Sequence, residues 1–151
     1  MSSSCCDTTT DALYVQRLRE TAKLPVRQTE GAAGYDLHCE AEEVVIPPGE
    51  WRCVPTGVAF TVPAGTYGRI APRSGLSCKG THVGAGVVDR DYTGEVKVLL
   101  FNMNKEAEVT VRRDDRVAQL VITHISTPEV VEVSSLESTV RGEGGFGSTG
   151  L

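Results

Sequence analysis

The sequence predicts an all-β fold, a sandwich or barrel of short strands. Apolar runs of strand length are punctuated by Pro and Gly at close spacing: Val44 to Ile46 precedes Pro47-Pro48-Gly49-Glu50, and Val58 to Val62 precedes Pro63-Ala64-Gly65-Thr66. Only Gly75 to Lys79 and Ser134 to Thr139 leave room for a turn or two of helix, which makes Rossmann and classical P-loop architectures poor fits. The 151 residues fit a single domain, one able to bury roughly 70% of its unfolded surface, and no repeat or linker divides them.

Taken in order, Met1 to Asp11 is Ser, Thr, Cys and Asp with almost no apolar content, so residues 1–11 are expected to form a disordered arm. A β domain over 12–140 and a flexible, Gly-rich lid over 141–151 follow. Between Ala12 and Leu24, Leu-Tyr-Val-Gln-Arg-Leu-Arg alternates apolar and polar residues as a first strand does. In Gly31-Ala32-Ala33-Gly34-Tyr35-Asp36-Leu37, small residues let another group approach the backbone, and Asp36 is the single charge; a flexible loop is the alternative. Tyr67 to Ala71 is a strand that delivers the chain into Pro72-Arg73-Ser74-Gly75. Val96 to Asn102, Val109 to Val111, Val117 to Ile125 and Val130 to Val133 continue the series, with Gln119 the odd polar residue in its run. Asp114-Asp115-Arg116 reads as the turn entering that run.

Charge and cysteine content narrow the function classes. The net charge of -5 disfavours a broad basic face for nucleic acid, so a nucleotide partner should be small and bound by a few placed arginines. The five cysteines are odd in number and form no Cys-x-x-Cys pair, which points to reduced thiols in an intracellular protein, cytoplasmic or nuclear. No apolar run approaches the ~20 residues of a membrane span, so no membrane partner is expected.

Chemistry concentrates in three stretches. Gly86-Val87-Val88-Asp89-Arg90-Asp91-Tyr92-Thr93-Gly94-Glu95 has the look of a β-hairpin whose apex carries a carboxylate and an aromatic, with a plain surface hairpin as the alternative. Arg73-Ser74-Gly75 combines a fork of donors, a hydroxyl and a glycine that lets a backbone N–H reach an anion. From Arg141 to Gly150, five glycines in ten residues accompany one cation, one aromatic and two hydroxyls. That suits a segment that closes over a ligand, Phe146 stacking on a flat ring while Arg141 and Ser148 meet charge; a disordered tail is the alternative. Gly142 to Thr149 mimics a P-loop but lacks its lysine. His38, His82 and His124 share no ligand spacing, and no Gly-x-Ser-x-Gly elbow is present. Water activated by a carboxylate is therefore the best-supported hydrolytic chemistry.

Together these segments resemble the trimeric dUTP pyrophosphatases. Ala32 to Leu37, Pro72 to Ser77, Gly86 to Gly94, Asp115 to Leu120 and Arg141 to Gly150 match the family's motifs, once each and in its order, from about Leu13 onward. Arg90, Val117 and the stretch Cys78 to His82 depart from the common pattern without removing a side chain that has an assigned role. The resemblance implies a jelly-roll-like β subunit working as a homotrimer, with a swapped C-terminal arm and active sites shared between subunits. It also implies hydrolysis of dUTP to dUMP and pyrophosphate with Mg²⁺, which limits uracil incorporation into DNA and supplies dUMP for thymidylate synthesis. On that resemblance, Asp89 activates the attacking water and accepts the deoxyribose 3'-OH, and Tyr92 packs under the sugar. Backbone groups of Gly86, Val87 and Val88 read uracil. Arg73, Ser74, Gly75 and Gln119 hold the α- and β-phosphates, Asp36 meets the Mg²⁺ shell through water only, and Arg141, Phe146, Gly147, Ser148 and Thr149 form the lid. Two other readings remain: dCTP deaminase, which shares the fold but not this tail, and a β-rich nucleotide-binding regulator, for which a water-activating Asp89 would have no use.

Overall fold

The computed structural model describes residues 12–148 and 150; the expected N-terminal arm lies outside them, as do Thr149 and Leu151. Among the described residues the order is β1 (Tyr14–Arg17), β2 (Tyr35–His38), β3 (Glu43–Ile46), β4 (Trp51–Pro55), β5 (Val58–Thr61), β6 (Thr66–Ala71), the one-turn helix α1 (Ser74–Ser77), β7 (Thr81–Gly84), β8 (Val87–Val88), β9 (Lys97–Asn102), β10 (Val109–Arg112) and β11 (Arg116–His124). The sheets run β2-β11-β6-β8, β4-β9-β7, β1-β5 and β10-β3, every pairing antiparallel. They wrap one core in a jelly-roll-like, all-β fold.

Side-chain alternation explains the layering. β9 buries Val98, Leu100 and Asn102 and turns Lys97, Leu99 and Phe101 outward, while β10 buries Val109 and Val111. Val54, Val98, Leu100, Ile46, Val117 and Leu120 are fully enclosed. Each such side chain stabilises the fold by about 1.5–3 kcal/mol relative to an exposed one. The buried amide of Asn102 donates to Ile46 O at 2.9 Å and Ala107 O at 2.8 Å, so this polar group does not stand unsatisfied in the core.

β11 is one of the two interior strands of the four-stranded sheet and sets the position of the motif residues. Its register places Gln119 opposite Asp36 of β2 on one side and Ala71 of β6 on the other. A bulge between Arg116 and Ala118 inserts Val117. Three positions apart, Arg116 and Gln119 would face opposite sides of an unbroken strand, and the extra residue brings both toward Asp36.

Three expectations are corrected. The segment Gly86 to Glu95 is not a hairpin: Val87–Val88 pairs with β6, and the chain then turns at Arg90-Asp91, with Tyr92 N–H donating to Asp89 O at 3.1 Å, before entering β9 in a different sheet. Val130 to Val133 forms no strand and is exposed, Val130 at 95%, because among the described residues no strand edge pairs with its backbone groups. Ser134 to Thr139 forms no helix. From the last residue of β11 onward, residues 124–143 are exposed throughout.

Candidate active site

The edge strand β8 and the loop after it form one wall of a pocket of about 320 Å³ lined by Ile70, Gly86, Val87, Asp89, Tyr92 and Glu95, among others. Ile70 N–H donates to Gly86 O at 2.8 Å. Antiparallel residues alternate in the edge they face, so Gly86 and Val88 face β6 while the N–H and C=O of Val87 face the open side. A donor and an acceptor therefore stand side by side on the open edge of β8. Gly86 is fixed by its environment, with φ at +97° and with only 2.9 Å between the place of a Cβ and Ile70 O.

Asp89 is exposed at the mouth of this pocket, and among the described residues no ion pair or side-chain hydrogen bond engages its carboxylate. Tyr92 is 46% exposed, yet its position is specified: the hydroxyl donates to Glu95 O at 2.7 Å, and the ring lies so near Gly94 that a Cβ there would sit 2.8 Å from the hydroxyl oxygen.

The cationic residues lie in a second cavity, about 350 Å³, lined by Arg73, Gly75, Lys79, Asp114, Asp115 and Arg116 with their apolar neighbours. Arg73 stands just before α1 at the end of β6, and its Nε meets Asp36 Oδ1 at 3.1 Å. Asp36 Oδ2 lies 3.7 Å from Arg116 Nη1 and accepts from Gln28 Nε2 at 3.0 Å. A buried carboxylate thus aligns one arginine at the cavity and faces a second. Gln119 donates to Pro72 O at 2.9 Å and holds the turn that leads into Arg73. Gly34 leaves the room this requires, since a Cβ on it would fall 2.2 Å from the Gln119 amide oxygen. Ser74 is exposed at the start of α1, and a Cβ at Gly75 would meet open space.

Within one chain the sequence-identified residues therefore gather in separate places. Asp89, Tyr92 and β8 form one pocket; Arg73, Gly75 and their supports Asp36 and Gln119 belong to another. The tail forms a third group. Arg141 Nε donates to Gly144 O at 2.6 Å and Ser148 Oγ accepts from Gly145 N–H at 2.8 Å. These local turns place Phe146 and Gly147 both at positive φ. Phe146 is fully exposed and meets neither cavity.

Sequence reasoning missed Arg116 and Lys79 as members of the second cavity, and Glu95 of the first pocket with its partner Arg19 and the Glu40 that Arg19 also meets. Arg116 reads as a turn residue until the bulge redirects it. His38, with Nδ1 buried and unpartnered, has its pKa pushed down by burial and then by Lys23. Burial likewise raises the Cys39 thiol. Cys39, Cys53 and Cys78 are free.

A directly coordinated metal does not fit these residues. Among the described residues no group of three or more His, Cys, Asp or Glu could hold an ion, and both oxygens of Asp36 already face nitrogen donors. Contact through water, to an ion carried by phosphate oxygens, is the form that Asp36 can accommodate. No described helix is long and apolar enough to cross a membrane.

A dUTPase family model matches residues 20–150. Deoxyuridine 5'-triphosphate nucleotidohydrolase of Eremothecium gossypii is 56% identical over 140 residues, covering 91% of this chain and 90% of that protein. The enzyme of the same name from Paramecium bursaria Chlorella virus 1 is 51% identical over 141 residues, 93% of this chain and 99% of its own. Among solved structures, the Staphylococcus bacteriophage 80alpha dUTPase with dUPNHPP superposes with a TM-score of 0.85 at 31% identity, covering 94% of this chain and 100% of that one. A mutant dUTPase from phage phi11 of S. aureus, described as coordinating a structural Mg(II) ion, superposes with a TM-score of 0.77 at 29% identity, over 84% of this chain and 99% of its own. A family match over most of the chain, relatives above half identical and a shared fold agree with the pocket and its motifs: the chain belongs to the dUTPase family.

Proposed function

We propose that the protein hydrolyses dUTP to dUMP and pyrophosphate at a site completed by neighbouring copies of the chain. The observation that carries the reading is the pocket in which Asp89 and Tyr92 face the open backbone edge of Val87, in a chain of this family. Val87 C=O accepts uracil N3–H and its N–H meets a ring carbonyl, whereas cytosine has no proton at that nitrogen. Tyr92 lies under the sugar and leaves no space for a ribose 2'-OH. Asp89 accepts the 3'-OH and takes a proton from water as the water oxygen bonds to the α-phosphorus. The bond from that phosphorus to the bridging oxygen breaks and pyrophosphate departs.

The charge that develops is met by Arg73, by the Ser74 hydroxyl and by the backbone at Gly75, with Gln119 and Asp36 fixing their positions. Mg²⁺ carried with the triphosphate would neutralise phosphate charge, with Asp36 touching its shell through water. The assembly proposed is a homotrimer. Its support is the division of the site residues between two cavities of one chain and an exposed tail carrying Phe146. Arg141, Phe146, Gly147, Ser148 and Thr149 of one copy would close over a pocket formed by others. Free Cys39, Cys53 and Cys78 favour a reducing, intracellular setting.

Incubating the protein with Mg²⁺ and each deoxynucleoside triphosphate in turn, and following pyrophosphate, tests the activity. Release from dUTP alone is expected; ammonia from dCTP, or binding of dUTP without turnover, would overturn it.

A further inference from the structure

We propose that Arg19 is a positioning residue for the nucleotide pocket: held between Glu40 and Glu95, it fixes the segment from Tyr92 to Val96 and so the ring that faces the sugar. Only the kinetic part of this proposal rests on dUTP hydrolysis as the function. Glu95 is the point at which pocket wall and scaffold meet. Its carbonyl accepts the Tyr92 hydroxyl at 2.7 Å, and its carboxylate accepts Gly57 N–H at 3.0 Å and meets Arg19 Nη2 at 2.5 Å.

The loop has few other anchors of its own. After the turn bond from Tyr92 N–H to Asp89 O, the next backbone bond is Val96 N–H to Val58 O at 2.9 Å. Tyr92 is too exposed for packing alone to hold its ring. The opposite side of Arg19 is firmly seated: Nε meets Glu40 Oε2 at 2.8 Å, Glu40 Oε1 accepts the Thr21 hydroxyl at 2.5 Å, and Leu18 N–H donates to Gly57 O at 2.8 Å. One guanidinium therefore ties the stretch after β1 to Glu40 and to the loop that carries Asp89 and Tyr92.

Exposed ion pairs contribute little, but this pair has one well-covered side. The side chains of Glu40 and Glu95 are only 9% and 18% exposed, against 43% for Arg19, and without Arg19 both carboxylates would lose their shared counter-ion. The Arg19 pKa is raised, chiefly by its bond to Glu40 and then by that to Glu95. The Glu40 carboxyl is held down by the Thr21 hydroxyl first and by Arg19 after it.

Amide hydrogen exchange on nucleotide-free protein, together with steady-state kinetics, tests the proposal. In Arg19→Ala, exchange at residues 89–96 should quicken by about tenfold while β9 and β11 keep their protection. KM for dUTP should rise about threefold to tenfold with kcat changed by less than about twofold, and UTP should gain relative to dUTP, the direction expected of Tyr92→Ala. Arg19→Lys, which keeps the charge but not the fork, should recover part of each effect. Glu95→Gln leaves the Arg19–Glu40 pair intact and should reproduce the local exchange change, and the double variant should be less than additive. Unchanged exchange at 89–96, or exchange that quickens equally across the barrel, would overturn the proposal. A wild-type protein that fails to turn over dUTP would sink the hydrolytic reading instead and leave the exchange result to decide the role of Arg19.

Discussion

Asp36→Asn separates the charge of the buried carboxylate from its shape, and the consequences can be worked from its contacts. The variant loses the charge-assisted bond to Arg73 Nε at 3.1 Å, which is worth about 1.5–3 kcal/mol in such a setting. The amide oxygen can still accept from Gln28, so that 3.0 Å bond survives. Arg116, 3.7 Å away and 46% exposed, adds less than about 1 kcal/mol. The Arg73 side chain is 24% exposed, so the guanidinium left behind regains some water and the lower half of the range applies. The expected loss is about 2 kcal/mol, read as a lower midpoint in urea with an unchanged m-value. On the proposed activity, an unaligned Arg73 should raise KM for dUTP more than it lowers kcat. A stability change below about 0.5 kcal/mol together with an unaltered KM would show that Asp36 does not organise the cationic cavity.

Asp89→Asn should keep nucleotide binding and lose about 10²- to 10⁴-fold in kcat, the common cost of removing a base; near-normal turnover would end its assignment. Burial and Lys23 depress the pKa of His38 below its ordinary 6.5, so the unfolded chain takes up the proton first. The stability contributed by neutral His38 is complete above that pH and is lost as pH falls toward the folded value. His38→Gln should flatten the decline in urea midpoint between about pH 7 and pH 5, and an unaltered slope would refute the attribution. Asp89→Asn subunits and subunits truncated before Arg141 should each be inactive alone and recover partial pyrophosphate release when co-assembled. A fully active monomer in sedimentation, or mixed assemblies with no recovery, would rule out the shared site.

Where a strand has one buried face and local punctuation, its residues declare it. Val44 to Ile46, Val58 to Val62, Tyr67 to Ala71, Val96 to Asn102, Val109 to Val111 and Val117 to Ile125 all lie within or one residue beyond observed strands. The strands that escaped detection lack that pattern. Trp51, Arg52 and Cys53 of β4 are all exposed, β2 emerges from a run of small residues, and β7 is a four-residue strand that ends in glycine. Val130 to Val133 misled for the opposite reason: β-branched residues supply propensity, but a strand exists only where another offers its edge.

The chemistry divides along the same line. Asp89, Tyr92, Gly86 and Val87 are neighbours in sequence, so the grouping of a carboxylate, an aromatic and a glycine at one pocket was legible before any fold was known. That Asp36 meets Arg73 and Arg116, that Gln119 braces Pro72, that Arg19 clasps Glu40 and Glu95, and that the carboxylate and the arginines occupy different cavities was decided by tertiary structure alone. The physical reason is register. Alternation along a strand says which face a side chain takes, whereas strand pairing and the bulge at Val117 say which distant side chain it meets there, and one residue of slip would exchange every partner.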